Sequence, residues 1–228
     1  MAKTKTRKGI FLVNHRKRIR VIFIVLGCCC VIAATALGVY NKWSSEQAGN
    51  ASKELTDAFA DLLAAGLPTY TGEGTVADGP TGEIDAGLED MPELETEEID
   101  SIPIGGYNIC GSIKMPTINR ELAVIADWSY SKLKITACRY TGTPDTRMII
   151  MAHNFDQHFG RISNLKAGDT VLFTSVDGTV YTYSVSGTEV WATNQLAEVL
   201  NGDWDLTLFT CTYGGANRVV VRCTRELG

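Results

Sequence analysis

The chain has 228 residues, of which 45% are hydrophobic and 21% are charged, and its net charge is −5. This length accommodates one domain with additional segments. Residues 1–20 hold eight of the 21 basic side chains and no acid, so residues 21–228 combine the other 13 with all 26 acids. Such an acidic region repels a polyanion, which excludes nucleic-acid binding as the function of the main domain.

The first predicted element is a membrane-spanning helix at residues 21–40. These twenty residues carry no charge and span about 30 Å as a helix, the thickness of the hydrocarbon core of a bilayer. The basic residues 1–20 predict a cytoplasmic amino-terminal tail, with the remainder of the chain extracellular. A cleaved signal peptide is the alternative, because small residues lie around Ala33–Ala36, but the apolar run exceeds the usual length. We therefore predict a single-pass protein of the cell membrane.

Residues 41–66 are predicted to form a juxtamembrane helix that ends at Gly66 and Pro68. Its apolar side chains recur at helical spacing: Leu55, Phe59, Leu62 and Leu63. Residues 67–103 are predicted to be an acidic disordered spacer. Eleven acids, no basic residue and few large apolar side chains lie between Thr69 and Ser101, so the segment buries too little surface to offset its chain entropy.

Residues 104–228 contain short β-type runs separated by turns, which predicts a mainly β fold. Eight strands with little helix indicate a small closed or nearly closed barrel. The predicted strands are Tyr107–Lys114, Glu121–Ile125, Leu133–Thr136, Met148–Ala152, Thr170–Thr174, Val180–Trp191, Leu206–Cys211 and Arg218–Thr224. Short helical turns are predicted at Phe159–Lys166 and Thr193–Leu200.

The last two predicted strands form a hairpin that places a cysteine opposite an arginine. The six-residue connection 212–217 contains two glycines and an asparagine, which favour a turn. If this connection closes simply, Cys211 faces Arg218, and Arg222 lies opposite Thr207, roughly 13 Å further along the ladder. A cation beside a thiol lowers its pKa and makes a nucleophile, whereas a thiol buried among apolar residues is inert. Arg218 is thus the better partner for the thiol.

These residues resemble a known family. The run Thr-Leu-Phe-Thr-Cys at residues 207–211 is similar to the TLxTC signature of sortases, the membrane-anchored cysteine transpeptidases of Gram-positive bacteria. In that family an arginine follows on the next strand, as Arg218 does, and a histidine lies some tens of residues upstream, as His153 does. Ala152 replaces the usual glycine before the histidine. The resemblance covers about residues 107–226, implies an eight-stranded sortase-like barrel, and points to a class B or class D-like form.

The resemblance implies a catalytic site made of Cys211, His153 and Arg218. Cys211 attacks a backbone carbonyl, and His153 protonates the departing amine, since imidazole titrates near neutrality. Arg218 holds substrate carbonyls or stabilises the oxyanion. Thr210 and Asn154 are predicted to contact the bound peptide, with in-register strand support as the alternative for Thr210.

The implied substrates are secreted proteins that carry a sorting motif near the carboxyl terminus. Cleavage leaves a thioester on the enzyme, and an amine of a peptidoglycan precursor or a pilin lysine resolves it. No cofactor is expected. A metal site is not expected either, because the chain has only three histidines and no CxxC pair. A lid formed by the spacer over the site is a further possibility that some relatives illustrate.

Two other functions remain open at the level of sequence. A membrane-tethered binding module with structural cysteines requires Cys211 to be bridged to Cys223, as four exported cysteines in an oxidising compartment permit. A simple cysteine hydrolase requires the acyl-enzyme to be released to water. A bridge between Cys110 and Cys138 is compatible with all three functions.

Overall fold

The computed structural model describes residues 5–66, 97–195, 200 and 202–226, with side chains from residue 20 onward except at residue 194. Residues 67–96 of the predicted spacer lie outside the described residues, as do residues 1–4 of the predicted tail and residues 196–199 of the second predicted helical turn. The chain forms two compact units, Met1–Ser44 and Ser45–Gly228.

The first unit is helical. Helix α1 covers Lys5–Ala64, so its carboxyl-terminal part, from Ser45 onward, belongs to the second unit. By length and composition, one helix of the described residues can cross a membrane, within Arg20–Ala64, and its most apolar window has a mean hydropathy of 2.7. The apolar side chains of residues 21–40 are exposed, as expected of a surface that faces lipid.

The second unit is built on a closed sheet. Its strands are β1 (Ile102–Ile104), β2 (Tyr107–Met115), β3 (Arg120–Ile125), β4 (Ala137–Thr141), β5 (Met148–Met151), β6 (Thr170–Ser175), β7 (Val180–Ala192), β8 (Leu206–Cys211) and β9 (Asn217–Arg225). Helix α2 (Tyr130–Leu133) precedes β4, and 3-10 turns cover Pro116–Ile118, Ile162–Asn164 and Thr193–Gln195.

Eight of these strands close a barrel in the order β2-β3-β4-β5-β8-β9-β7-β6, and β6 pairs again with β2. The pairs β3–β4 and β5–β8 are parallel, whereas all other pairs are antiparallel. The short strand β1 pairs only with the start of β2, outside the closed ring. The predicted fold, a mainly β closed eight-stranded barrel with short helices, is confirmed.

One predicted strand, Leu133–Thr136, is wrong. The Ser129 side chain caps α2 by accepting a hydrogen bond from the Lys132 amide, and the amides of Ile135 and Thr136 both donate to the Lys132 carbonyl. This segment is therefore a helical turn. Strand β4 begins only after it, at Ala137. The β-branched side chains suggested a strand, but the Ser129 cap favours the helical turn.

Two apolar clusters cover the two faces of the barrel wall. The inner cluster fills the barrel and includes Ile113, Val124, Ile150, Phe173, Leu208 and Val221. The outer cluster includes Ile109, Ile125, Tyr140, Met151, Phe209 and Val220, together with Leu55 and Phe59 of helix α1. The carboxyl-terminal part of α1 thus packs on the outer face of the barrel.

Polar contacts fix this part of α1 in register. The Thr56 hydroxyl accepts a hydrogen bond from the Ala123 amide at 2.8 Å. The hydroxyls of Ser52 and Thr136 are hydrogen-bonded at 2.9 Å, and Thr136 also donates to the Ala123 carbonyl at 2.7 Å. Because buried polar groups are costly unless they are paired, these bonds select one docking position for the helix.

Candidate active site

The β8–β9 hairpin has the predicted register. Cys211 lies opposite Arg218, and Thr207 lies opposite Arg222. Arg218 is only 1% exposed, and its Nη1 donates hydrogen bonds to the carbonyls of Gly215 and Asn217, at 3.0 and 3.1 Å. A permanent positive charge is therefore held rigidly at the end of the hairpin that carries the half-buried thiol of Cys211.

His153 follows β5, which runs parallel to β8 and places Met151 beside Phe209. The Ala152 amide donates to the Phe209 carbonyl at 3.4 Å, so the pairing continues past the end of the strand. Because parallel neighbours advance together, this register brings His153 beside Cys211.

Two side-chain hydrogen bonds reinforce this alignment. The Thr210 hydroxyl donates to the Ala152 carbonyl at 2.8 Å, and the Asn154 amide Nδ2 donates to the Thr212 carbonyl at 3.1 Å. The residues on either side of His153 are thus tied to the residues on either side of Cys211. Thr210 is buried, whereas Asn154 is half-buried. The hydrogen bond of Thr210 joins two neighbouring strands, which agrees with strand support, the alternative role considered for this residue.

Strand alternation puts the three predicted catalytic side chains on one face. Successive residues of a strand point to opposite sides, and Ala152, Leu208 and Val219 belong to the inner cluster. Their neighbours His153 and Arg218 therefore lie on the outer side. Cys211 packs against the outer cluster directly. The barrel wall thus carries the thiol, the imidazole and the guanidinium at one end of three adjacent strands.

Phe155, which was not predicted as a site residue, stacks its ring on that of His153. The ring centroids are 3.9 Å apart, and the planes differ by 19°. On its other side, Phe155 lies 5.6 Å from the ring of His158. The only signal in the sequence is an aromatic residue two positions after the histidine, which is common in loops without function.

His158, five residues after His153, is fully buried against helix α1. Its Nε2 lies 3.4 Å from the Ala48 carbonyl oxygen. Burial takes the ring out of water, disfavours its charged form and lowers the pKa of His158 to about 4, although the Ala48 carbonyl acts in the opposite direction. This histidine therefore stays neutral across the physiological range.

The other barrel cysteines lie apart from this site. Cys223 pairs with Leu206 at the far end of the hairpin, about 17 Å from Cys211, too far for the predicted alternative bridge. Cys110 belongs to the inner cluster and Cys138 to the outer cluster, and no disulfide joins them. Burial raises the pKa of the Cys110 and Cys223 thiols to about 12, and raises that of Cys138 as well.

Comparison with known proteins assigns the family. A family model described as the sortase domain matches residues 113–226, half of the chain. The chain is similar to sortase C1 of Streptococcus agalactiae, with 27% identity over 52% of this chain and 67% of that chain and a TM-score of 0.47. It also shares its fold with a sortase D5 transpeptidase of Clostridium perfringens, with 17% identity, 78% and 99% coverage and a TM-score of 0.53. Comparison with curated proteins gave no match.

The family model and the closed eight-stranded barrel define a cysteine transpeptidase. The chain belongs to the sortase family, and it is a sortase-type cysteine transpeptidase. Sortases act on proteins that carry a sorting motif and on pilins. The apolar amino-terminal helix suits a single-pass membrane anchor.

Proposed function

We propose that Cys211, His153 and Arg218 are the catalytic residues of this transpeptidase. The observation that carries the proposal is the register of three adjacent strands. The β5–β8 pairing and the β8–β9 hairpin bring the three side chains to one end and one face of the barrel wall. No other cysteine of the barrel combines partial exposure with a neighbouring cation among the described residues.

Each residue has one role in the proposed reaction. The Cys211 thiolate attacks the carbonyl carbon of the scissile peptide bond, and Arg218 stabilises the oxyanion that forms. The His153 imidazolium gives its proton to the departing amine as the C–N bond breaks, which leaves a thioester. An incoming amine then attacks the thioester, loses a proton to His153 and releases the thiolate, so the enzyme is regenerated without ATP.

Trp191 supplies an apolar side chain for the substrate beside the site, because it lies opposite Arg218 on β7 and is half-buried. Phe209 and Tyr140, which belong to the same outer cluster, are 1% and 2% exposed and lie within the barrel wall beside the thiol. Thr210 and Asn154 stay predictions as peptide contacts.

The proposed arrangement along the chain follows the charge pattern. Residues 1–20 form a cytoplasmic tail, residues 21–40 cross the cell membrane, and the barrel from residue 104 is extracellular. Residues 41–66 form the juxtamembrane helix, and residues 67–103 form the acidic spacer, whose last two residues already belong to strand β1. The basic cluster before the apolar run supports this orientation. The proposed acceptor is an amine of a peptidoglycan precursor or a pilin lysine, and the proposed subclass is class B or class D-like.

An activity assay on the full chain in detergent micelles tests the reaction. A sorting-type peptide is incubated with and without an amine acceptor, and the products are separated by mass. Product that depends on the acceptor supports transfer, whereas cleavage that is unchanged by the acceptor supports the hydrolase. The full chain is used because a barrel cut at residue 101 lacks Leu55 and Phe59, which pack on its outer face.

Matched variants test the assignment of residues. We expect Cys211→Ala to abolish transfer, while Cys223→Ala, at the other end of the same hairpin, keeps it per folded molecule. His153→Gln is compared with His158→Gln in the same way. If Cys211→Ala keeps full activity, the assigned nucleophile is wrong. Alkylation of the folded chain without reductant, followed by mass spectrometry, reports whether the Cys211 thiol reacts.

A further inference from the structure

The stacked pair of His153 and Phe155 lies in a loop whose backbone is fixed at several points. The Phe155 carbonyl accepts hydrogen bonds from the amides of His158 and Gly160, both at 2.9 Å. The Phe159 amide donates to the His153 carbonyl at 3.2 Å. A side chain at Gly160 would collide with the Phe155 carbonyl oxygen at 2.7 Å, so the loop closes tightly over its own backbone. The Phe155 ring is therefore held in place against the imidazole.

The stack has a consequence for the charge of His153. Rings that lie face to face at 3.9 Å are poorly arranged for two neutral aromatics, which prefer offset or edge-to-face contacts. A cation over the face of an aromatic ring is instead attracted by the negative charge density of that face. The observed geometry thus favours the imidazolium over the neutral imidazole.

Several ionisable groups lie around this pair. From the β8–β9 hairpin these are Cys211, Tyr213 and Arg218. From the loop and from β3 they are Asp156, Arg161, Arg120 and His158. From helix α1, Glu46 lines the groove beside Gln157.

Apart from the proposed Cys211 thiolate, which favours an imidazolium next to it, these groups do not favour a protonated His153. Asp156 is already engaged by two arginines: Arg161 donates to its carboxylate at 2.5 and 2.7 Å, and Arg120 donates to its carbonyl at 2.9 Å. His158 is neutral, and Arg218 lowers the pKa of any base near it. The face of the Phe155 ring stabilises the imidazolium and so opposes the effect of Arg218 on the pKa of His153. The phenyl ring itself does not titrate.

We propose that Phe155 is a positioning residue for the transpeptidase reaction, which keeps the His153 ring aligned and favours its protonated form beside Cys211. The inference rests on the proposed function of His153. Only enzyme molecules that carry both the Cys211 thiolate and the His153 imidazolium react with the substrate. The activity therefore falls at high pH as His153 loses its proton. The stack extends activity toward higher pH.

The test is an NMR titration of the full chain in detergent micelles with ¹³C-labelled histidine. The three histidine signals are assigned with single His→Gln variants. Phe155→Leu removes the π face but keeps apolar volume, whereas Phe155→Tyr retains the face and serves as the control. We expect Phe155→Leu to lower the pKa of His153 by about half a unit to one unit, from the usual strength of a cation–π contact. We expect Phe155→Tyr to leave it within about 0.2 units.

The pH profile of kcat/KM is measured on the same variants. We expect its upper limb to move to lower pH by the same amount in Phe155→Leu, and to stay in place in Phe155→Tyr. The pKa of His158 reports whether the loop remains folded, since it stays depressed only in the packed state. If Phe155→Leu loses that signature, Phe155→Met is measured instead.

The outcomes separate this inference from the assignment of His153. If Phe155→Leu or Phe155→Met leaves both the pKa of His153 and the pH profile unchanged while His153→Gln abolishes transfer, the role of Phe155 is overturned and the catalytic site stands. If the pKa shifts but His153→Gln still transfers, the stack stands and the catalytic role of His153 is wrong.

Discussion

Arg218 and Arg222 show how position along one strand decides the role of the same residue type. Both lie on the outer face of β9 and both are buried. Arg218 is opposite Cys211, whereas Arg222 donates a hydrogen bond to Thr207 at 3.1 Å and lies 3.7 Å from the Glu189 carboxylate. The first arginine is at the proposed reaction centre, and the second joins three strands behind it.

The two arginines therefore provide a matched pair of substitutions. Arg218→Lys keeps the charge but loses the planar fork that bonds the carbonyls of Gly215 and Asn217. We expect kcat to fall about 100-fold, the usual effect of removing one oxyanion donor. We expect Arg222→Lys to lower the melting temperature but to keep kcat within about threefold. Steady-state transfer kinetics with a sorting-type peptide measure both; equal losses in the two variants would contradict the catalytic role.

The hydrogen bond of the Thr210 hydroxyl to the Ala152 carbonyl can be tested in the same way. Thr210→Val keeps the shape but leaves the buried Ala152 carbonyl without its side-chain donor, whereas Thr210→Ser keeps the bond. We expect Thr210→Val to lower the free energy of unfolding by about 1–3 kcal/mol. We also expect it to lower kcat more than it raises KM, because His153 loses its alignment. A rise in KM alone, at unchanged kcat, would instead indicate the peptide contact predicted from the sequence.

At the scale of elements, helix α1 contributes a part of the core that its sequence only partly revealed. The spacing of Leu55 and Phe59 predicted an apolar stripe, but not the surface that it covers. The structure shows that this stripe packs on the barrel, with Phe59 1% exposed. The carboxyl-terminal part of helix α1 is thus a structural component of the unit that contains the barrel.

Removing the Phe59 ring tests how much this contact stabilises the barrel. We expect Phe59→Ala to lower the free energy of unfolding by about 3–5 kcal/mol, the usual cost of deleting a buried aromatic side chain. Asp61→Ala, an exposed change on the same helix, serves as the control and leaves stability within about 0.5 kcal/mol. Thermal unfolding of the full chain in micelles, followed by near-ultraviolet circular dichroism, measures both. An unchanged melting temperature in Phe59→Ala would mean that the helix does not dock in solution.

The elements also show which parts of the site the sequence can predict. The β8–β9 hairpin is local, since one six-residue connection determines its register, so the pairing of Cys211 with Arg218 follows from the order of residues alone. The approach of His153 depends on β5 and β8, which pair in parallel although nearly 60 residues separate them. No periodicity encodes that pairing, and only the resemblance to a family predicted it. The Phe155 stack and the His158 contact arise from irregular backbone, which no sequence pattern specifies.

At the scale of the whole molecule, His158 links helix α1 to the loop that carries His153. The His158 ring lies between the Ala48 carbonyl and Phe155. The neighbouring residue Gln157 packs against Gly49 so closely that a Cβ atom at Gly49 would lie 2.7 Å from the Gln157 Cγ. Neutrality of this ring is a condition for the packing, because a fully buried ring lacks the water that solvates a charge.

This burial makes the folded unit sensitive to mild acid. The pKa of His158 is about 4 in the fold, against an ordinary value of 6.5, so the unfolded chain binds a proton first as the pH falls. Stability therefore declines from about pH 6.5 and levels off near pH 4, by roughly 3 kcal/mol in total for this group. Asp156, whose pKa its bond to Arg161 lowers, loses its contribution only at more acidic pH, below this window.

The measurement is urea unfolding of the full chain in micelles at pH 7.5, 6.5, 5.5 and 4.5, compared with His158→Gln. We expect the wild-type midpoint to fall steadily below pH 6.5, whereas the variant, which starts lower because its contact with Ala48 is altered, shows a flatter profile over the same range. Parallel profiles for the two proteins would show that another group governs the acid response. In that case the protonation of His158 would not control the contact between helix α1 and the loop that carries His153.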